Sequence, residues 1–209
     1  MRRVHWTTRG AAERLQPECR IRRRSSISFG RQGDGSVSPF LQLQDWSVEA
    51  WVNVPSPSTG EGYIYSVGGA VGQSLGVLDG KPVVELTLCP SGGVQLVGPI
   101  HVDDGQWHHV VGLKAGGDVR LYVDTLLVAS TTVSGSMCYQ KTGGPWPSIG
   151  RTYFFGDGSN QFAGAIDEVA IYPTPLSLSS IRTHYTASGR ALSPSRLLRK
   201  WRRVSMSRS

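Results

Sequence analysis

The sequence predicts an all-β protein built from short antiparallel strands, and its composition and its hydrophobic pattern both support this fold class. Charged residues make up only 18% of the 209 residues, and 26 glycines and 12 prolines supply many turns. Long helices need a composition rich in Ala, Glu, Lys and Leu, which this chain lacks. From residue 26 to residue 172, apolar and polar residues alternate in short runs that turn residues interrupt, as in strands with one buried face.

The clearest run is residues 47–54, which we interpret as a half-buried strand that Pro55 ends. One face of this strand is apolar, and the other carries polar groups and an aromatic ring. The apolar face consists of Val48, Ala50, Val52 and Val54, and the other of Ser47, Glu49, Trp51 and Asn53.

Two later pairs of runs predict hairpins. Residues 75–78 and 82–88 flank Asp79-Gly80, a dipeptide that tolerates the positive φ angles of a two-residue turn. Residues 107–113 and 119–123 flank a glycine-rich turn in the same way.

The last strand and a short helix follow. Residues 162–172 predict one more strand, and residues 181–186 fit a helix. Ser177 or Ser179 is its expected N-cap, because serine oxygens accept hydrogen bonds from the free N–H groups of a first turn. Gly189 stands just past the expected end, where a glycine commonly closes a helix.

Two strongly basic arms flank a mildly acidic body. Residues 1–24 hold eight arginines against two glutamates, a net charge of +6, and residues 190–209 carry +7 without any acidic residue. Residues 25–189 therefore carry −6. We expect mostly irregular arms that attract an acidic protein surface, an anionic lipid or nucleic acid, the last only through non-specific phosphate contacts. The alternative is that the arginines only add solubility.

Two clusters within the arms are the predicted anchoring groups. They are Arg22, Arg23 and Arg24 in the first arm, and Arg199, Lys200, Trp201, Arg202 and Arg203 in the second. The second cluster lies in a short amphipathic segment that suits an anionic membrane surface or an acidic groove of a partner. One or two short C-terminal helices are therefore expected.

The sequence gives little indication of a membrane span, of a secretory signal or of the redox state of its cysteines. No run approaches the roughly 18 apolar residues of a membrane span, and no N-terminal stretch has the apolar core of a secretory signal. The three cysteines, Cys19, Cys89 and Cys138, lack the paired spacing of a zinc site. Cys89 and Cys138 lie in the body and would pair if their strands meet, with three free thiols as the alternative.

Three segments carry a more specific signal through their order and spacing. They are residues 46–52 (Trp-Ser-Val-Glu-Ala-Trp-Val), residues 104–111 (Asp-Gly-Gln-Trp-His-His-Val-Val) with 119–124 after them, and Ile149-Gly150-Arg151 with 162–172 after it. Together they resemble the laminin-G-like branch of the concanavalin-A-like lectin/glucanase superfamily, over about residues 26–188. The resemblance implies an antiparallel two-sheet β-sandwich of the jelly-roll type. Thr125 departs from the pattern, because the family has glycine after the position of Asp124, so we expect a different turn or a longer hairpin there.

The resemblance also implies a calcium ion at the rim between the sheets. Relatives take one ligand from the aspartate of a Gly-x-Ile-Asp motif, which is Asp167 here, and Asp34 is its natural partner. Calcium takes six to eight oxygen ligands, and Gly30 replaces the acidic residue that commonly follows Phe29 in the family. The alternative is that Asp167 caps a turn by accepting backbone N–H groups.

Glycan binding is the family's commonest activity, and two surfaces are candidates for it here. Sugars stack on aromatic rings and bond to amides and carboxylates. Trp51 shares a strand face with Glu49 and Asn53, which fits a lectin-like groove, although a tryptophan at this position is also a framework residue in the family. The second surface consists of loop residues, whose rings could instead cover the end of the sandwich. They are Trp146, Tyr153, Phe154, Asp157 and Asn160.

The acidic residues do not fit a glycoside hydrolase. Hydrolysis needs two carboxylates that face one cleft, whereas Asp103-Asp104 and Asp167-Glu168 are adjacent pairs that point to opposite faces of a strand. His108-His109 is also an adjacent pair, which we interpret as packing and hydrogen bonding. No catalytic residue is therefore predicted.

These observations predict three parts and one main function. The parts are a basic N-terminal arm (1–24), a jelly-roll domain (25–189) and a basic C-terminal arm (190–209). We expect a non-catalytic recognition module for a glycan, displayed on or docked to a larger assembly through its arms. The alternative is a purely structural subunit of a virion, such as a phage tail or capsid surface, or of another large complex. A glycoside hydrolase is the remote alternative.

Overall fold

The computed structural model describes residues 13–14, 27–28, 42–67, 72–139, 147–151 and 160–192. These residues form thirteen strands and one helix, α1 (Leu178–Ala187). The strands are β1 (Glu13–Arg14), β2 (Ile27–Ser28), β3 (Trp46–Asn53), β4 (Glu61–Val67), β5 (Gln73–Leu78), β6 (Lys81–Cys89), β7 (Gly92–Val97), β8 (Trp107–Ala115), β9 (Asp118–Val123), β10 (Leu126–Thr132), β11 (Ser136–Met137), β12 (Ser148–Ile149) and β13 (Ala165–Tyr172).

The strands form two antiparallel sheets that pack face to face. Sheet A has the order β1-β13-β3-β8-β9-β10, and sheet B has the order β11-β6-β5-β4-β12-β2, with β7 also paired to β6. The inner faces of both sheets contribute to one large apolar core, which includes Val48 and Val110 from sheet A and Leu75 and Val84 from sheet B. The predicted all-β two-sheet sandwich is confirmed.

Strand β3 is buried on both faces. Its apolar residues point into the core as predicted, but the expectation of a half-buried strand was wrong, because Glu49 and Trp51 on the other face are only 4% and 7% exposed. Helix α1 covers this outer face, where Ile181 packs against Val111 and Leu113 of β8.

The predicted turn at Asp79-Gly80 is confirmed. Both residues have positive φ, 47° and 76°, and the two residues that flank them, Leu78 and Lys81, pair with each other. This geometry is that of a two-residue hairpin whose twist matches the twist of the strands.

The turn at Asp124-Thr125 has the same geometry, so the expectation of a different turn or a longer hairpin was wrong. The φ angles are 46° and 73°, and Val123 pairs with Leu126 across the turn. Asp124 is held in place by β8, because its N–H donates to the His109 carbonyl and its Oδ1 accepts from the His109 N–H, both at 2.8 Å.

His108 connects this turn to the loop that precedes β8. Its Nδ1 lies 2.7 Å from Asp124 Oδ2, and its Nε2 lies 3.0 Å from Asp104 Oδ1. A ring with a carboxylate at each nitrogen is suited to carry both protons. Burial by itself lowers the pKa of His108, but the two carboxylates outweigh burial and raise it. This geometry agrees with the interpretation of His108 as a hydrogen-bonding residue.

Helix α1 confirms the predicted helix. Ser177 is its N-cap, and its Oγ accepts a hydrogen bond from the Ser180 N–H at 3.1 Å. Gly189 follows with a φ of 82°, the left-handed conformation that commonly ends a helix. The amphipathic segment of the C-terminal arm lies outside the described residues.

A disulfide joins Cys89 and Cys138, so the structure contains the pairing that the sequence left open. Strand β11 pairs with the end of β6 and places Ser136 opposite Cys89. The two Cα atoms are 5.6 Å apart, which is within the usual range for a disulfide. The bond closes a stretch of 49 residues and ties β11 to sheet B.

Strands β7, β10, β11 and β12 were not predicted, and β13 begins at Ala165 rather than at residue 162. Part of the predicted N-terminal arm also forms a strand, since β1 pairs with β13 at the edge of sheet A. Arg190, the first residue of the predicted C-terminal arm, donates from Nη1 to the Trp107 carbonyl at 2.9 Å.

None of the helical segments that the structure describes has the length and apolar character needed to cross a bilayer.

Candidate functional site

A row of polar side chains crosses four strands on the outer face of sheet B. Ser66 of β4 lies opposite Ser74 of β5, Ser74 lies opposite Glu85 of β6, and Glu85 lies opposite Gln95 of β7. Opposite residues in antiparallel strands point to the same face. Because Leu75 beside Ser74, and Val84 and Leu86 on either side of Glu85, belong to the core, Ser74 and Glu85 point away from it.

Tyr63 connects this row to a second carboxylate. Its hydroxyl oxygen lies 2.7 Å from Glu85 Oε2 and 2.9 Å from Glu61 Oε2. Gly76 lies opposite Tyr63 in the register, so no side chain from β5 competes with the tyrosine ring at this position. Two acidic groups from different strands are thereby held around one phenol.

Amide and hydroxyl groups complete the arrangement. Gln95 Nε2 donates to Glu85 Oε1 at 2.6 Å, and Ser74 Oγ donates to Glu85 Oε2 at 3.2 Å. Asn160 Nδ2 donates to Glu61 Oε2 at 3.3 Å. We call this group the carboxylate–tyrosine cluster; it consists of Glu61, Tyr63, Ser74, Glu85, Gln95 and Asn160. Gln95 and Asn160 are exposed, and the two glutamates are half-buried.

The electrostatics of the cluster follow from its two acidic groups. Burial raises the pKa of Glu61, and the neighbouring Glu85 raises it further, whereas the hydrogen bond from Tyr63 lowers it. Burial and the two carboxylates raise the pKa of Tyr63 far above its ordinary value. Tyr63 therefore stays a neutral donor at physiological pH, on a face of negative charge.

The predicted loop surface contributes one described residue to this cluster. Asn160, its one described residue, bonds to Glu61 as stated above. Beside the row of polar side chains, the Arg151 carbonyl accepts from Ser66 Oγ at 3.1 Å and from Ser148 Oγ at 2.8 Å. The other predicted contacts lie outside the described residues, and their role in binding stays a prediction; they are Trp146, Tyr153, Phe154 and Asp157.

The other predicted surface lies beneath helix α1. The Trp51 ring stacks on Tyr185 with centroids 5.4 Å apart, and the His109 ring lies 5.0 Å away. The guanidinium of Arg190 lies 4.8 Å from the Trp51 centroid. The helix and Arg190 therefore cover Trp51, and sugar contact by Trp51 stays a prediction.

Glu49 and Asn53 make structural contacts in this region. Glu49 accepts from the Tyr172 hydroxyl at 2.6 Å and from His184 Nδ1 at 3.0 Å, with His109 Nε2 at 3.3 Å. Burial alone raises the pKa of Glu49, but these donors outweigh burial and lower it to about 2. Asn53 Nδ2 donates to the Gly105 carbonyl at 2.6 Å. Sugar contact by either residue stays a prediction.

The predicted calcium site is not assembled by the residues that the structure describes. Asp167 Oδ1 accepts from the Glu168 N–H at 3.0 Å, at an irregularity in β13 where Glu168 has a φ of 48°. Within the described ranges, no three His, Cys, Asp or Glu side chains come together as a metal site. Asp34 lies outside those ranges, so calcium stays a prediction.

The adjacent acidic pair before β8 is divided between different partners. Asp103 Oδ2 accepts from the Ser58 N–H at 3.0 Å, and Asp103 Oδ1 lies 3.0 Å from His101 Nδ1. Asp104 instead bonds to His108, as described above. Each carboxylate therefore has its own structural contacts.

The family model that matches this chain is described as the concanavalin A-like lectin/glucanases superfamily, and it matches residues 30–182. The chain belongs to this superfamily. The resemblance inferred from the three sequence segments is thereby confirmed. No curated protein sequence matches the chain.

Solved structures share the fold at low sequence identity. The CBM40 of a Ruminococcus gnavus IT-sialidase, bound to α2,3-sialyllactose, has a TM-score of 0.65 and 16% identity, over 79% of this chain and 94% of that one. The binding domain of Paraclostridial mosquitocidal protein 1 has a TM-score of 0.62 and 15% identity, over 88% of this chain and 48% of that one.

A third structure comes from botulinum neurotoxin type C, whose cell entry is described as dependent on two ganglioside molecules. Its TM-score is 0.56 at 12% identity, over 80% of this chain and 46% of that one. The chain thus spans about half the length of each of these two toxin structures. These similarities show the fold, and the sialidase CBM40 and the mosquitocidal protein structure are binding domains rather than catalytic ones.

Sequence reasoning missed most of the carboxylate–tyrosine cluster. Glu85 carried a detectable signal, because it occupies an outward position in the predicted strand 82–88. Tyr63 and Glu61 carried none, because nothing in the sequence indicated which strand would lie beside β4.

Proposed function

We propose that this chain is a non-catalytic glycan-binding module whose contact surface is the outer face of sheet B. The observation that carries the proposal is the carboxylate–tyrosine cluster, in which Tyr63 holds Glu61 and Glu85 together on one face. Exposed amides of Gln95 and Asn160 flank the two carboxylates. Sugar hydroxyls bond to this combination of carboxylate and amide groups in protein sites.

The fold comparison supports the same function. In a domain of the same architecture, the sialidase CBM40, a sialylated lactose is bound. Fold alone does not determine function, so the proposal rests on the polar cluster, and the likeness adds the precedent of a sugar ligand.

Glycan-array binding of the full chain tests the proposal. We expect binding to a restricted set of glycans, and we expect Tyr63→Phe to weaken it about tenfold, because the two carboxylates lose the hydroxyl that holds them. Glu168→Gln is the matched control, since Glu168 is exposed on β13 of the other sheet. Thermal unfolding of each variant verifies that it is folded. Failure of the wild-type chain to bind any glycan, with and without calcium, would overturn the proposal.

We further propose that the basic arms hold the module on a larger assembly. This proposal is supported by the charge separation along the chain, with net charges of +6 and +7 in the arms and −6 in the body. Within the described chain, Arg190 is already packed on Trp51 and bonded to Trp107, so the C-terminal arm starts from a defined place on sheet A.

A further inference from the structure

His108 lies between two carboxylates that belong to different segments of the chain. Its Nε2 lies 3.0 Å from Asp104 Oδ1, in the loop that precedes β8, and its Nδ1 lies 2.7 Å from Asp124 Oδ2, in the turn between β9 and β10. Each contact needs a proton on the ring nitrogen, because an ionised carboxylate only accepts hydrogen bonds. A neutral imidazole carries one N–H and a protonated imidazole carries two. Only the protonated ring can therefore bond to both segments at once.

The two carboxylates differ in how firmly they are held. Asp124 is also fixed through its Oδ1, which accepts from the His109 N–H, and only 11% of its side chain is exposed. The side chain of Asp104 is 42% exposed, and its other bond, from the Gln106 N–H, lies within the loop itself. A neutral His108 should therefore keep Asp124 and lose Asp104. Without the charge of the ring, the two carboxylates also repel each other, which favours this separation.

The groups that α1 and β3 bring to this region do not change charge in the range where a histidine titrates. Burial and Asp124 raise the pKa of Tyr185, so the phenol is neutral at physiological pH. Arg190, which follows α1 and interacts with Tyr185, keeps its charge. Strand β3 places the apolar Val52 opposite His108. Burial lowers the pKa of His108, but the two carboxylates outweigh burial and raise it.

We infer that His108 is a pH-dependent clamp, which ties the loop before β8 to the turn between β9 and β10 when the ring is protonated and releases Asp104 when the ring is neutral. These segments are separate from the carboxylate–tyrosine cluster, so the inference does not depend on glycan binding. The clamp stabilises the folded state fully below pH 6.5, the ordinary histidine value, and this contribution is lost as the pH rises through the higher pKa of the folded state. Mildly acidic conditions therefore hold the loop against the turn, and alkaline conditions free it.

Carbon-detected NMR of the full chain as a function of pH tests the clamp, since these spectra keep their signals when amide protons exchange quickly. We expect the His108 ring to titrate above pH 6.5 and the carboxyl carbon of Asp104 to shift with the same midpoint. Relaxation of residues 102–106 should show greater mobility above this midpoint. A ring that titrates at or below pH 6.5, or a loop whose mobility is the same on both sides of the midpoint, overturns the inference.

Two variants and a matched control locate the effect. His108→Gln should remove the pH-dependent mobility of the loop, and Asp104→Asn should lower the midpoint of His108, because one of its two carboxylates is lost. Urea unfolding of the wild type should show a loss of stability through the same pH range, and this loss should be smaller in Asp104→Asn.

The control is His101→Gln. His101 lies on the same loop and pairs with one carboxylate, Asp103, but its side chain is 52% exposed, and such exposed pairs contribute little. This variant should retain the wild-type midpoint of His108. If His108→Gln does not fold, Asp104→Asn still decides, since its side chain is partly exposed. A midpoint and a loss of stability in Asp104→Asn equal to those of the wild type overturn the inference.

Discussion

At the scale of single residues, Thr125 carries a backbone conformation that its side chain opposes. Its φ of 73° lies in the left-handed region, which costs a non-glycine residue about 1–3 kcal/mol and is least suited to a β-branched one. The contacts of Asp124 with the His109 backbone and with the His108 ring hold the turn in this conformation. The strain is confined to one position in a two-residue turn.

Thr125→Gly should therefore stabilise the protein. We expect the free energy of unfolding to rise by about 1 kcal/mol, because relief of the strain exceeds the added flexibility of glycine in the unfolded chain. Urea denaturation measures the difference. Thr131→Gly is the matched control, since Thr131 lies in extended strand β10, where glycine should cost about 0.5–1 kcal/mol. A Thr125→Gly protein no more stable than the wild type would contradict the strained turn.

For single residues of the candidate site, the sequence determines some positions and not others. The Asp79-Gly80 turn determines the pairing of β5 with β6, so the position of Ser74 opposite Glu85 follows from the sequence. The position of Tyr63 does not follow, because β4 pairs with β5 through an irregularity between Tyr63 and Tyr65. A shift of one residue moves a side chain to the opposite face of a sheet, so such an irregularity decides which side chains reach the cluster.

At the scale of elements, helix α1 changes the role of a whole sheet face. Its capping serine and its terminal glycine identified it in the sequence, but nothing local indicated which surface it covers. The structure places Tyr185 on Trp51 and His184 on Glu49. The outer face of sheet A is therefore a packing surface at these residues, which the alternation of β3 alone could not predict.

Glu49→Gln should weaken this docking and change its response to acid. The ionised Glu49 stabilises the folded state because its pKa falls from 4.5 to about 2 on folding. Its contribution, about 3 kcal/mol, is present above pH 4.5 and is lost as the pH falls towards 2. We expect Glu49→Gln to be less stable than the wild type by about this amount at pH 7, and the difference to shrink between pH 4.5 and pH 2.

Urea unfolding as a function of pH measures this difference, and hydrogen exchange of the α1 amides locates it. Exchange within residues 178–187 should be faster in Glu49→Gln than in the wild type. Glu168→Gln, which replaces an exposed carboxylate on neighbouring β13, should leave both measurements unchanged. Equal acid sensitivity of the wild type and Glu49→Gln would show that Glu49 does not stabilise the docked helix.

At the scale of the whole molecule, opposite charges are separated along the chain. The two-sheet sandwich follows from hydrophobic alternation, turn residues and family segments, and these features are confined to the body. The arms follow no such pattern and are defined by charge alone, +6 and +7 against −6. The proposed glycan face on the acidic body and the proposed anionic partner at the basic arms are compatible, because they would involve different parts of the chain.

Retention on a heparin column tests this division between arms and body. We expect the full chain to be retained, and replacement of Arg199, Arg202 and Arg203 by glutamine to lower the salt concentration of elution, because fewer counterions are released on binding a polyanion. The matched control replaces three cations of the body, Lys81, Arg120 and Arg182, by glutamine, and its elution should stay close to that of the wild type. An equal shift in both triple variants would show that retention follows net charge alone and would remove the arms as anchors.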